Sequence, residues 1–104
     1  ALYLMNNGFV HDLARQFAER VRREAGSDAA REIELAYEIT LTRAPSEEEL
    51  KTARDALEVL TRHWLNLQAK PGELASEAEN EASLRALANI CHALMNSSEF
   101  LYVD

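Results

Sequence analysis

Between positions 41 and 60 the chain runs LTRAPSEEELKTARDALEVL, a helix stop followed at once by a helix start. Pro45 pushes the residue before it out of the helical region, so an incoming helix ends here. Ser46 then opens Ser46-Glu47-Glu48-Glu49, a capping box. The Ser46 side chain accepts from the Glu49 backbone N–H, and the Glu49 carboxylate accepts from the Ser46 backbone N–H. Three acids at the positive end of a helix dipole add to the signal. Leu50, Ala53, Leu57, Leu60, Trp64 and Leu67 follow by threes and fours, predicting a helix to about Gln68. Glu47/Lys51 and Glu58/Arg62 are i,i+4 pairs for its outer face.

Upstream, Ser27 or Asp28 caps a helix whose inward stripe is Ile33, Ala36, Tyr37, Thr40 and Leu41. Leu35 and Ile39 widen that stripe and predict a central helix buried on two sides. Gly26 closes an earlier helix that starts at Asn6 or Asn7 and turns Val10, Leu13, Ala14, Phe17 and Val21 to one face. Downstream, residues 69–80 are polar and acidic with a Pro71-Gly72 break, which predicts a long mobile connection. A fourth helix is expected from about Asn80 to Ala82 onward, with Leu84, Leu87, Ala88, Cys91, Leu94 and Met95 inward and an end near Asn96 to Ser98. The expected fold class is all-α, a small antiparallel bundle of about four helices with a flexible acidic connection before the last.

Composition agrees. In 104 residues, 47% apolar, there are three glycines and two prolines, which suits one helical domain over residues 1–104 with its own core. The chain opens on alanine, and it reads as the C-terminal piece of a longer multidomain protein. No apolar run approaches the ~20 residues of a membrane span, so no membrane insertion is expected. With 18 acidic against 11 basic residues the net charge is −7, which repels a phosphate backbone. Arg15, Arg20, Arg22 and Arg23 alternate with Asp12, Glu19 and Glu24 as on a solvated helix surface, so no nucleic-acid partner is expected. The single cysteine excludes an internal disulfide.

Ala88-Asn89-Ile90-Cys91-His92 has the outline of a haem-attachment motif with alanine in place of its first cysteine. Cys91 falls on the inward stripe of the fourth helix, so a buried apolar cysteine and no cofactor are expected. His11, His63 and His92 lie on three different helices at spacings that give no metal site. Glycine-rich phosphate loops, activated nucleophiles and isolated carboxylates in apolar surroundings are all missing from the pattern, and the acids are expected at helix starts and on exposed faces. Glu99, at a helix end, is the one acid in a distinctive setting and is assigned a backbone hydrogen bond. Asn96-Ser97-Ser98 matches a glycosylation acceptor formally and is read as helix-end capping; Trp64 is read as a packing anchor.

Three stretches then carry a resemblance. They are Ala1-Leu2-Tyr3-Leu4-Met5-Asn6-Asn7-x-Phe9-Val10, Ala36-Tyr37-x-x-x-Leu41-Thr42-Arg43-x-Pro45-Ser46-x-Glu48-Glu49, and Cys91-His92-Ala93-Leu94-Met95-Asn96-Ser97-Ser98-Glu99-Phe100-Leu101-Tyr102-Val103. Together they resemble the C-terminal part of a planctomycete-type exported family of unknown function, domain of unknown function 1553. Its members often carry a cytochrome-c-like domain in the same chain. Two positions depart from the family pattern: Thr42 stands where glycine is usual, and Gly8 where proline is.

The resemblance transfers no catalytic residue. It implies a non-catalytic helical domain that packs against other domains of a large extracytoplasmic, cytochrome-associated protein. Leu2, Tyr3, Leu4, Phe100, Leu101 and Tyr102 are more apolar surface than a small bundle must bury, and are assigned to interdomain contact; left uncovered, they would favour self-association. Two rivals stand beside this reading. One is a wall of an active site in a parent enzyme of polysaccharide or redox chemistry, which requires His92, Asn96 and Glu99 to converge. The other is a free-standing partner-binding bundle.

Overall fold

A computed structural model describes residues 7–68 and 70–97, the side chains of residues 7–10 excepted. The chain forms α1 (Asn7–Ala25), α2 (Ala29–Leu41), α3 (Glu47–Gln68) and α4 (Ala75–Met95), and all regular structure among the described residues is helical. The assignments made above to Val10, Glu99 and the six apolar residues Leu2, Tyr3, Leu4, Phe100, Leu101 and Tyr102 lie outside the described residues or side chains.

Local chemistry sets the boundaries. Gly26 takes φ +73° and its N–H returns to the Arg22 carbonyl at 3.0 Å, closing α1. Of the two candidate caps for α2, Asp28 serves: its Oδ1 accepts from the Ala30 N–H at 3.1 Å. At the other end Thr42 adopts the left-handed conformation, φ 57° and ψ 29°, and donates its N–H to the Glu38 carbonyl at 3.0 Å. Glycine is the residue that takes that conformation without strain. The helix thus closes at Thr42, ahead of the proline stop. The capping box forms as expected, with Glu49 N–H to Ser46 Oγ at 3.1 Å and Ser46 N–H to Glu49 Oε1 at 2.8 Å.

The connection before α4 is far shorter than the expected 69–80. Pro71 and Gly72, the latter at φ +84°, make a tight turn closed by Glu73 N–H to the Lys70 carbonyl at 3.2 Å. The fourth helix begins at Ala75 rather than near Asn80. Its N-cap, Leu74, makes no side-chain capping bond, so the usual Ser/Asp signal is missing. Packing supplies the reason: Ala78 and Ala82 are buried, and Gln68 Nε2 donates to the Ala78 carbonyl at 3.0 Å.

The core is built on α4, which packs most extensively on α3 and α1. The expected central helix, α2, touches all three others but over less surface. Ala14, Ala18, Ala82 and Ala86 are buried, which keeps these parts of α1 and α4 slender and free to pack closely. Val21, Ile33, Leu57, Leu87, Ile90 and Cys91 fill the rest of the core. One expected core residue is displaced: Leu67 is 66% exposed. The inward position four residues after Trp64 belongs instead to Gln68, which reaches α4. Among the described residues no helix is long and apolar enough to cross a membrane.

Candidate functional site

Three features could carry function: a cleft along α3 faced by α4 and the α1–α2 junction, a groove between α3 and α4, and a histidine pair at the end of the bundle.

The cleft follows from helix length. α2 has 13 residues against 22 in α3, about 20 Å against 33 Å at 1.5 Å per residue, so it cannot cover α3 throughout. The space left open, about 890 Å³, is walled by Arg22, Glu32 and Ser83 on one side and by Arg54, Leu57 and Thr61 on the other. Its charges are largely paired already: Arg22 with Glu32 at 2.7 Å, Lys51 with Asp55 at 3.0 Å and Arg62 with Glu58 at 3.3 Å. A lining of both signs in mutual contact selects neither an anion nor a cation.

Glu32 corrects the expectation that every acid sits on the surface. It is 2% exposed, and its Oε2 accepts from Arg22 Nε. Arg22 Nη1 in turn donates to Ser83 Oγ at 2.9 Å and to the Asn80 carbonyl at 3.3 Å. Burying this charge is tolerable because the pair is hydrogen-bonded on several sides. The sequence hides it because Arg22 and Glu32 lie ten positions apart on two helices. The one available signal was Glu32 standing beside Ile33 and a turn before Ala36 on the inward stripe. Cys91 is wholly buried, as expected, and burial, then the Glu32 charge, push its thiol up to about 12. Burial and the raised pKa keep this thiol protonated at neutral pH.

The groove has an apolar wall. It takes in about 600 Å³ between Tyr37 on α2, Ala53 and Ala56 on α3, and Ile90, Ala93 and Leu94 on α4, with Ser46, Glu48, Glu49 and Thr52 along its polar margin. Alanine at three of these positions leaves the walls low where longer side chains would meet. Its far edge is firm: Arg43 binds Glu49 with two bonds of 2.8 and 2.9 Å, and its guanidinium lies 5.5 Å from the Tyr37 ring centroid. The Arg43 hydrogen bonds and then the Ser46 N–H hold the Glu49 carboxyl down to about 2. A second belt ties α1 to α4 and α3. Arg15 binds Glu81 at 2.8 and 2.9 Å as well as Glu19 at 3.6 Å, and Arg85 bonds Glu81 at 2.9 Å while lying 5.2 Å from the Trp64 ring centroid. Trp64, half-buried, donates from Nε1 to Asn89 Oδ1 at 2.8 Å, so the expected packing anchor has a polar end as well.

The third feature unites two residues that sequence kept apart. The rings of His11 on α1 and His92 on α4 stack at 4.8 Å with 27° between their planes. Asn96 Nδ2 lies 3.2 Å from His92 Nε2. Of the three residues that an active-site wall would need, His92 and Asn96 meet, and Glu99 is outside the described residues. His63 is separate, edge-on to Trp64 at 5.8 Å. Among the described residues no three metal-ligating side chains are grouped to hold an ion.

The fold and these features define a small all-α bundle in which Glu32, Glu49, Glu81 and Cys91 are engaged in the structure and an open groove carries an apolar wall. The family described as "Protein of unknown function (DUF1553)", PSD1, matches residues 1–57, and the chain belongs to that family. No curated protein and no solved structure matches it.

Proposed function

We propose that this bundle is a non-catalytic packing module that docks against other domains of a longer parent protein through the groove between α3 and α4. The observation that carries the reading is the groove itself: about 600 Å³ with an apolar wall of Tyr37, Ala53, Ala56, Ile90, Ala93 and Leu94 and a polar margin of Ser46, Glu48, Glu49 and Thr52. Apolar concavities of this size are costly to leave in water and typical of surfaces that meet a partner. Occupation of Glu32 by Arg22, and burial of Cys91, argue in the same direction, because the groups best suited to chemistry are engaged in holding the helices together. The interdomain contact assigned to Leu2, Tyr3, Leu4, Phe100, Leu101 and Tyr102 is part of the same proposal and lies outside the described residues. Export, a planctomycete source and association with a cytochrome-like domain are part of the proposal, supported by the family resemblance alone.

The test is a calorimetric titration of the chain with the separately produced remainder of its parent. Micromolar or tighter binding with a negative heat-capacity change is expected. Ala93 is exposed on the groove wall, so Ala93→Arg should leave the fold intact and weaken that binding at least tenfold. Absence of binding by the wild type removes the packing reading; binding that Ala93→Arg leaves untouched moves the contact away from the groove.

A further inference from the structure

His11 and His92 take no part in the groove or in the Arg22–Glu32 pair, yet they join the first turns of α1 to the last turn of α4 through two stacked imidazole rings, the side chain that can act as a proton switch. We propose that the stacked His11 and His92 rings, with Asn96 donating to His92, form an acid-operated clasp: neutral, they hold α1 against the end of α4; doubly protonated, they let these two segments part.

The geometry supplies both states. Neutral imidazoles 4.8 Å apart and 27° from parallel are in stacking contact. Two unit charges at that distance repel, and even bulk-water screening disfavours the doubly charged pair about fourfold, with partial burial adding to this. The Asn96 bond works in the same sense. Nδ2 can donate to His92 Nε2 only while that nitrogen carries a lone pair, and protonation sets N–H against N–H.

The surroundings leave His11 as the charge that matters. On α1, Arg15 is held by Glu81 and Glu19, and Asp12 is exposed. On α4, Arg85 is taken by Glu81, and the Cys91 thiol is neutral. On α3, Glu49 is bound to Arg43, which closes the α2–α3 junction. Burial first, and then the His11 charge, hold His92 below the usual histidine range. The carboxyl end of α4 pulls the other way, toward a charged ring, and is outweighed. A folded-state value below the unfolded one gives stability that is present above the ordinary histidine pKa and is lost as pH falls through it. The loss is local, because Ala14, Ala18, Ala82 and Ala86 continue the α1–α4 seam beyond the clasp.

The experiment is NMR on the whole 104-residue chain at pH 7.5 and 5.0. Ring-proton contacts between His11 and His92 should be present at the higher pH and vanish at the lower. Amide protection factors of residues 11–14 and 92–96 should fall at least about fourfold, while those of Leu57 and Ala86 hold. His11→Phe keeps a ring that cannot charge, and His92→Gln removes the second charge; both should abolish the pH effect. Persistence of the ring contacts at pH 5.0, or an equal loss of protection in the wild type and both variants, overturns the clasp.

Discussion

Thr42 is the residue where a single substitution tests the local physics most directly. It is a β-branched residue at φ 57°, where Cβ crowds the following carbonyl, and among the described residues it is the one non-glycine with positive φ. Strain of this kind costs about 1–3 kcal/mol. Thr42→Gly relieves it, but glycine gives back ~0.5–1 kcal/mol through the entropy of its unfolded chain. The substitution also loses the Thr42 Oγ1 bond to the Leu41 carbonyl at 2.6 Å, worth about 0.5 kcal/mol at a part-exposed site. Taking about 2 kcal/mol for the strain, the balance is a gain of about 0.7 kcal/mol. On the scale for domains of this size that raises Tm by roughly 3–5 °C.

The assay is urea and thermal unfolding followed by helical circular dichroism, with Thr42→Ala as control. Alanine keeps the Cβ, and with it the αL crowding, but loses the hydroxyl and the γ-methyl, so it should be slightly destabilising. A raised urea midpoint at unchanged m-value for glycine, with none for alanine, is the expected pattern. If Thr42→Gly is neutral or destabilising while alanine is tolerated, the strain is not stored in the αL backbone. The neighbouring contacts make the result informative. Arg43, next in sequence, reaches both Glu49 and Tyr37, so slack at Thr42 would be felt at the groove edge.

Three further outcomes follow from the described contacts. Arg22→Met leaves Glu32 buried without its partner and should cost about 3–5 kcal/mol by urea unfolding, whereas Arg22→Met with Glu32→Met should recover most of it; a single-variant cost under ~1 kcal/mol would mean that Glu32 is solvated. Cys91 should react with a thiol reagent at pH 8 only as fast as the chain unfolds, and rapid reaction of the native state would contradict its burial. Arg15 bonds, and then Arg85, hold Glu81 down to about 2, so its contribution is present above the ordinary carboxylate range and is lost as pH falls from there toward 2. Arg15→Ala should flatten the fall in urea midpoint between pH 5 and 3 by no more than ~1 kcal/mol, because the pair is partly exposed; an unchanged pH profile would remove the belt as a stabilising element.

Much of the fold could be read from sequence because its signals are local. The Ser46/Glu49 box, the Gly26 stop and the Asp28 cap each act within a few residues, and each falls where expected. The failures are all non-local. Ala75 opens α4 without a capping side chain, and what recruits the acidic segment into helix is contact of Ala78 and Ala82 with other helices. Leu67 fits the spacing yet is exposed, because the inward angle at the end of α3 favours Gln68. Arg15–Glu81, Arg22–Glu32 and His11–His92 join residues 66, 10 and 81 positions apart, and only the packing of α1 on its neighbours brings each pair together.

The same non-locality separates the unit that folds from the unit the family defines. Residues 1–57 take in α1, α2 and the first half of α3, and stop short of α4. Yet α4 supplies Ala82, Ala86, Leu87, Ile90 and Cys91, the surface on which α1, α2 and α3 bury their stripes. Without it Ala14, Ala18 and Val21 would lose much of their apolar cover, and Arg22 would lose its contacts to Asn80 and Ser83, leaving Glu32 with a less fixed partner. The groove would vanish too, because Ile90, Ala93 and Leu94 are one of its walls. The family match therefore marks where the sequence signal lies, while the core and the groove both require the helix beyond it.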